Sequence, residues 1–119
     1  PYRRREGLPG NSPLSLALFL QAATPREIIA RMLRNLKEIH RSAEDWTRLH
    51  AVTQRLVILL PDAWEERRDR GLAAAQLGAV KAAVADLSSY LENVPQAGDR
   101  FAINERLLEL GHGDPSRLH

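Results

Sequence analysis

The chain has 119 residues, of which 44% are hydrophobic and 27% are charged, a balance typical of one globular domain. Its 17 basic and 15 acidic residues give a net charge of +2, which is too small to indicate nucleic-acid binding by itself. The absence of cysteine excludes disulfides, thiolate metal sites and a cysteine nucleophile. We expect a cytoplasmic protein that needs no cofactor.

The first segments are a linker and a short apolar helix. Residues 1–12 contain proline and glycine without an apolar period, as linkers and frayed termini do. Ser12 and Pro13 then offer an N-cap and a proline at the first helical position, which predicts a helix over residues 13–22. Its apolar run, residues 14–20, is too short to span a membrane. Because the chain starts at a proline without an initiator methionine, we interpret it as a piece of a longer protein.

Two amphipathic helices follow, up to Pro61. Thr24 and Glu27 can form a capping box around a proline in the first turn, and the helix then continues to about Arg41. Asp45 is the next predicted cap. The apolar face of the first of these helices consists of Ile28, Ile29, Met32, Leu33, Leu36 and Ile39.

Further helix signals occupy the second half of the chain. Asp62 as a cap, with Glu65 in the first turn, predicts a helix start, and Gly78 is a natural C′ residue for its end. The next apolar stripe closes at Pro95. No segment alternates with period two, so we expect no sheet. The remaining predicted segments are a helix over residues 99–110, a stop at Gly111 and a polar tail over residues 112–119.

Pro61 and Pro95 lie 34 residues apart, and many residues before them match in register. This period is the length of one tetratricopeptide repeat, a helix–turn–helix unit. Residues 62–95 fit the repeat pattern well, whereas residues 25–61 are a degenerate unit with Lys37 where glycine is usual. The alternative is an irregular helical bundle in which the two prolines share a spacing by chance.

Two such units cannot bury both of their end faces, because repeats of this kind depend on their neighbours for stability. The helices predicted over residues 13–22 and 99–110 are therefore expected to cap the stack. We predict an all-α, right-handed superhelical stack of about six antiparallel helices over residues 13–111.

Two stretches carry a family resemblance. They are residues 25–37 (PREIIARMLRNLK) with residues 44–46, and residues 67–72 with residues 75–78. They resemble the C-terminal part of a bacterial two-domain family that has an N-terminal transglutaminase-like domain and C-terminal tetratricopeptide repeats. The similarity covers roughly residues 14–110. It implies an accessory helical domain that carries no enzyme activity of its own.

The resemblance to tetratricopeptide stacks implies a binding surface on the concave face, which the first helix of each pair lines. Arg31, Arg34 and Arg68 can form a basic patch that holds a carboxylate or an acidic peptide. The alternative is a solvated helix face, with ion pairs such as that between Arg34 and Glu38. The candidate residues for binding a peptide or partner are Arg31, Arg34, Asn35, Glu38, Arg41, Arg68, Asp69 and Gln76.

Other candidate sites are weaker. His40 and Glu44 have helical spacing for a metal pair, but no third ligand is evident, so we expect no metal site and a half-buried histidine. Trp46 and Trp64 are expected to wedge between helices rather than to stack a ligand. The sequence contains neither a nucleophile elbow nor a phosphate-binding glycine loop.

We therefore predict a non-catalytic protein-interaction module that docks on, or recruits partners to, a missing N-terminal transglutaminase-like domain. The alternative is a structural part of an enzyme, walling the active site of that domain. Nucleic-acid binding through the arginines at residues 3–5 is least favoured. We expect a protein or peptide partner, no nucleic acid and no membrane, and leave a homodimer through residues 14–20 open. Reversing the charge of Arg31, Arg34 and Arg68 is expected to abolish binding and to leave thermal stability nearly unchanged.

Overall fold

The computed structural model of the chain describes residues 23–112, and these residues contain helices and no strand. This confirms the predicted all-α class. The predicted linker, the helix over residues 13–22 and the tail beyond His112 lie outside the described residues. The five helices are α1 (Pro25–Ser42), α2 (Trp46–Leu59), α3 (Trp64–Gln76), α4 (Val80–Asn93) and α5 (Arg100–His112).

Both caps predicted for the first two helices are present. The hydroxyl of Thr24 accepts a hydrogen bond from the Glu27 backbone N–H at 3.1 Å, and the Glu27 carboxylate accepts one from the Thr24 N–H at 2.8 Å. The Asp45 carboxylate accepts a hydrogen bond from the Arg48 N–H at 3.2 Å. Side-chain caps of this kind each stabilise a helix by about 1 kcal/mol.

The predicted cap at Asp62 is wrong. Helix α3 begins at Trp64, so its N-cap residue is Ala63, one residue after Asp62. Ala63 makes no side-chain hydrogen bond. The chain first turns, with the Ala63 N–H donating to the Leu60 carbonyl at 3.1 Å. Gly78 does adopt the predicted left-handed conformation, with φ of +81°, whereas α5 continues past the predicted stop at Gly111.

The 34-residue period is visible in both helix boundaries and burial. Helices α2 and α4 begin and end 34 residues apart. Their C-cap residues, Leu60 and Val94, share φ values of −127° and −129°. The buried positions repeat with the same step, from Leu49, Val52, Thr53, Leu56 and Val57 in α2 to Ala83, Asp86, Leu87, Tyr90 and Leu91 in α4.

Consecutive helices pack against one another along the stack, from α1 to α5. Gly71 allows α3 to approach α4 closely, because a Cβ atom at this position would lie 2.9 Å from the Asp86 Cβ and 3.1 Å from the Leu87 side chain. The core at this end contains Ala74, Ala83, Leu87, Tyr90, Leu91, Ile103 and Leu110. Helix α5 therefore contributes Ile103 and Leu110 to the core of the second unit.

The apolar face predicted for α1 is largely exposed. The side buried by packing carries Ala30 and Lys37 instead. The exposed fractions along the apolar face are 48% for Ile29, 61% for Met32, 41% for Leu36 and 57% for Ile39. These four residues, spaced by three and four positions, lie on one side of the helix; we call them the α1 stripe.

Candidate functional site

A buried lysine connects α1 to α3. The Lys37 ammonium donates to Glu66 at 2.9 Å and to Asp69 at 2.7 Å, and all three residues are buried. A buried charge is costly unless it is paired and hydrogen-bonded. Since the two carboxylates lie one turn apart on α3, one ammonium group can satisfy both, and α1 and α3 are held side by side.

Asp69 is the centre of this network. Besides Lys37, its carboxylate accepts a hydrogen bond from Arg41 at 3.3 Å and one from Arg68 at 3.0 Å. The other buried acid, Glu66, accepts a hydrogen bond from Arg34 at 3.0 Å. Glu66 and Asp69 thus each have more than one cationic partner.

A second cluster links α3 and α4 to the loop before α5. The Tyr90 hydroxyl donates to Asp99 at 2.7 Å, and Arg68 donates to the other oxygen of the same carboxylate at 3.1 Å. The Arg68 guanidinium also lies 5.5 Å from the centre of the Tyr90 ring, within the range of a cation–π contact. Arg68 therefore joins the two clusters.

The pKa values of this cluster favour its ionic form. For Asp99, burial alone would raise the pKa, but the Tyr90 hydrogen bond and the charge of Arg68 outweigh it and lower the pKa below its usual value. Burial and the hydrogen bond to Asp99 raise the pKa of the Tyr90 hydroxyl. Burial opposes the charge of Arg68, but its bond to Asp69 and its other partners raise its pKa overall.

These clusters border a groove of about 400 Å³. Arginine side chains reach it from three helices, namely Arg41 from α1, Arg68 from α3 and Arg106 from α5. Guanidinium groups can bind carboxylates with two parallel hydrogen bonds, and the apolar lining suits an aliphatic or aromatic side chain. The other lining residues are Trp46, Leu49, Asp69, Leu72, Ala73, Gln76 and Asp99.

A larger cavity of about 740 Å³ lies between the start of α1 and the loop that precedes α3. Arg26, Arg31 and Arg34 line its α1 side, and Pro61 and Asp62 line the loop side. The cavity extends to Ala23, the first residue that the structure describes.

The predicted binding residues fall into three groups. Arg41, Arg68, Asp69 and Gln76 line the groove, and Arg31 and Arg34 line the larger cavity. Asn35 and Glu38 are exposed and line neither of these two cavities. The predicted patch of Arg31, Arg34 and Arg68 is therefore divided between two surfaces.

Two expectations for these helix faces differ from the structure: an exposed Asp69 on the concave face and, in the alternative of a solvated helix face, an ion pair between Arg34 and Glu38. Asp69 is only 5% exposed, because it faces the cations of α1 rather than solvent. Arg34 pairs with Glu66 of α3 and not with Glu38. Glu38 instead pairs with Arg41 at 3.4 Å.

The sequence-based prediction missed Lys37 and Glu66, which are buried in the ion-pair network, and Asp99 and Arg106, which line the groove. Lys37 carried a usable signal, because a lysine at a position where the repeat has glycine must place its stem inside the stack. Asp99 and Arg106 carried no such signal, since only the path of the chain between α4 and α5 brings them to the groove.

The tryptophans play two different parts. Trp64 packs against the core, as predicted, and the Arg67 guanidinium lies 4.9 Å from the centre of its ring. Trp46 lines the groove.

Within residues 23–112, no three histidine or acidic side chains are grouped so that they could hold a metal ion. None of the five helices is long and apolar enough to cross a membrane.

Comparisons with known proteins agree with this architecture. A family model described as a tetratricopeptide repeat matches residues 36–108, more than half of the chain. Two curated proteins of Xylella fastidiosa, from strains Temecula1 and 9a5c and both called UPF0162 protein, are each 35% identical over 112 residues. The match includes 92% of this chain, which spans 40% of the length of these relatives. No solved structure matches the chain. The names of the relatives do not mention a transglutaminase-like domain, so that part of the resemblance stays a prediction.

Proposed function

Because the chain belongs to the tetratricopeptide repeat family, we propose that it is a protein-interaction module whose groove binds an acidic, partly apolar segment of a partner protein. Stacked helical repeats commonly bind partners on extended concave surfaces. The observation that carries the proposal is the convergence of Arg41, Arg68 and Arg106 beside the apolar side chains of Trp46 and Leu72. Acidic side chains fit the guanidinium groups, and leucine or phenylalanine fits the apolar wall.

We further infer that the partner is a transglutaminase-like domain of the same longer protein, or a protein that the module recruits to that domain, in the bacterial cytoplasm. The sequence resemblance of residues 25–37 and 67–78 supports this partner. The relatives also have room for a further domain, because more than half of their length lies outside the match. In this proposal the module supplies binding and the neighbouring domain supplies any chemistry.

The groove can be tested with a synthetic peptide that alternates glutamate with leucine and phenylalanine, using isothermal titration calorimetry. Arg41→Gln and Arg106→Gln each remove a charge without placing a new carboxylate beside Asp69. We expect each variant to weaken binding about tenfold, or about 1.4 kcal/mol. Arg55→Gln is the matched control, because Arg55 is exposed on α2 and does not line the groove.

The same peptide with lysine in place of glutamate tests the charge complementarity. Equal binding of the glutamate and lysine peptides, or unchanged binding of the glutamate peptide to the Arg41 and Arg106 variants, would contradict the groove as the binding surface. Arg34 and Arg68 are unsuitable for this test. Both make ion pairs with buried carboxylates of α3, so reversing their charge would also lower stability, contrary to the expectation from the sequence. Arg41 pairs with Asp69 as well, so the thermal stability of Arg41→Gln is measured beside its binding. Arg106 pairs with the exposed Glu109 of its own helix, and Arg106→Gln is therefore the decisive variant.

A second arm addresses the partner. The part of the Xylella fastidiosa relative that lies outside the match can be produced separately and titrated with this chain. We expect binding that Arg106→Gln weakens and Arg55→Gln does not. If the peptide binds and this separate part does not, the groove is retained and the neighbouring domain is rejected as the partner.

A further inference from the structure

The α1 stripe, defined by Ile29, Met32, Leu36 and Ile39, is an apolar surface that no described helix covers. It lies on a different side of α1 from Ala30, which is buried. Contiguous exposed apolar patches on folded proteins commonly mark contact surfaces. The stripe is therefore a candidate contact surface.

The 34-residue step shows what kind of occupant the stripe fits. Adding 34 to the stripe positions gives Ala63, Glu66, Arg70 and Ala73 at the start of and within α3. Glu66 is 1% and Ala73 is 0% exposed. Glu66 bonds to α1, and Arg70 donates to Gln54 of α2 at 2.7 Å. In the second unit these positions therefore pack against the preceding helices of the stack, and the stripe is the corresponding surface of the first unit.

We propose that residues 14–20 of this chain pack on the stripe and complete the stack before α1. Six of these seven residues are apolar (LSLALFL). Only residues 21–24 separate them from Pro25, the first residue of α1, and connections of 2–8 residues commonly join antiparallel neighbouring helices. The segment is therefore tethered close to the stripe, at a high effective concentration.

The short connection also fixes which part of the stripe the segment reaches. An antiparallel return through residues 21–24 places Leu16 beside Ile29. Ile39 lies ten residues further along α1, or about 15 Å at 1.5 Å per residue. Residues 14–20 thus cover the half of the stripe that contains Ile29 and Met32, and the other end of the stripe lies beyond their reach.

Pairs of introduced cysteines test this arrangement, because the chain has no cysteine of its own. The test pair is Leu16→Cys with Ile29→Cys, and the matched control is Leu16→Cys with Ile39→Cys. Under mild oxidation we expect an intramolecular disulfide at least about tenfold faster in the test pair, since a disulfide needs Cα atoms within about 7 Å. Mass spectrometry and non-reducing electrophoresis separate intramolecular from intermolecular products, and circular dichroism checks that both variants fold.

Three results would overturn the proposal. A predominantly intermolecular disulfide would assign the stripe to a second copy, equal rates in the two pairs would mean random encounter, and no disulfide in a folded variant would leave the stripe to another partner. Amide hydrogen exchange on the unsubstituted chain is an independent measurement. We expect protection at residues 14–20, and exchange at the rate of an unstructured peptide would also overturn the proposal.

Discussion

At the scale of single residues, the buried charges decide how α1 is oriented. An apolar face would usually turn inward, yet α1 buries Lys37 and leaves Met32 exposed. Two acids of α3, Glu66 and Asp69, receive the ammonium group of Lys37. Removing one partner of such a buried group costs about 3–5 kcal/mol, so these pairs fix the contact between α1 and α3 more specifically than apolar packing would.

Asp99 gives a prediction for pH. Its pKa is lowered in the folded chain, so folding favours the carboxylate. The carboxylate therefore adds stability at pH values above about 4, the usual pKa of an aspartate, and this contribution is lost as the pH falls through the lowered folded pKa. We expect Asp99→Asn to reduce the free energy of unfolding at pH 6, and the difference from the unsubstituted chain to shrink steadily below pH 4.

Chemical denaturation between pH 6 and pH 2 measures this difference. Asp62→Asn is the control, because Asp62 is exposed and bonds to no tyrosine. Tyr90→Phe removes the hydroxyl that donates to Asp99 and should reproduce part of the effect. A difference between Asp99→Asn and the unsubstituted chain that stays constant with pH would contradict an ionic role for Asp99.

At the scale of helices, close approach depends on small residues at the right register. The backbone of α3 comes close to α4 because Gly71 has no side chain, although glycine inside a helix costs about 1 kcal/mol relative to alanine. The first unit has Lys37 at the equivalent position, 34 residues earlier, and its ammonium group bonds to Glu66 and Asp69 of α3. The two units therefore share the bounds of their second helices but differ in what fills the helix contact.

Gly71→Ala tests this contact. The new Cβ would meet the Asp86 Cβ at 2.9 Å and Leu87 at 3.1 Å, closer than packed atoms tolerate. Overpacking of this kind costs about 1–3 kcal/mol, and the better helix propensity of alanine offsets about 1 kcal/mol of this cost, so we expect a net loss of up to about 2 kcal/mol in the free energy of unfolding. Gly98→Ala is the control, because a Cβ added there would have no other atom within 4 Å. A gain of about 1 kcal/mol in Gly71→Ala, the full effect of helix propensity, would contradict the packing role.

Local signals in the sequence predicted helices better than they predicted surfaces. Thr24, Asp45 and Gly78 act through backbone groups a few residues away, so their roles could be recognised from neighbours in the chain. Asp62 was wrongly predicted as a cap because a turn after Leu60 precedes the helix, with the Ala63 N–H bonded to the Leu60 carbonyl. The partners of Arg34 and Arg68 lie some 30 residues away, and their choice depends on how helices pack, which no local pattern determines.

At the scale of the whole molecule, the helices form a row in which each contacts the next. Stability in such a row is close to a sum of local terms and neighbour contacts. The end that contains α5 is held by few buried residues, chiefly Ile103 and Leu110. Local opening should therefore begin at α5 and not at α3, which packs on a neighbour on each side.

Ile103→Ala should show this difference along the row. Truncating a buried isoleucine costs about 2–5 kcal/mol, and we expect amide hydrogen exchange to accelerate throughout α5 while the amides of α2 change much less. Mass spectrometry of exchanging peptides can resolve the two helices. Phe101→Ala is the control, because Phe101 is 77% exposed. Equal acceleration in α2 and α5 would mean that the chain opens as one unit.

The sharing of Asp69 among three cations also affects how quickly a ligand can leave the groove. Arg41 and Arg68 are already bound to an internal carboxylate, so an incoming acid exchanges places with Asp69 or Glu38 instead of meeting a bare charge. Such an exchange offsets part of the interaction that it forms, and the displaced carboxylate stays nearby. If the groove binds an acidic segment as proposed, we expect that segment to dissociate quickly.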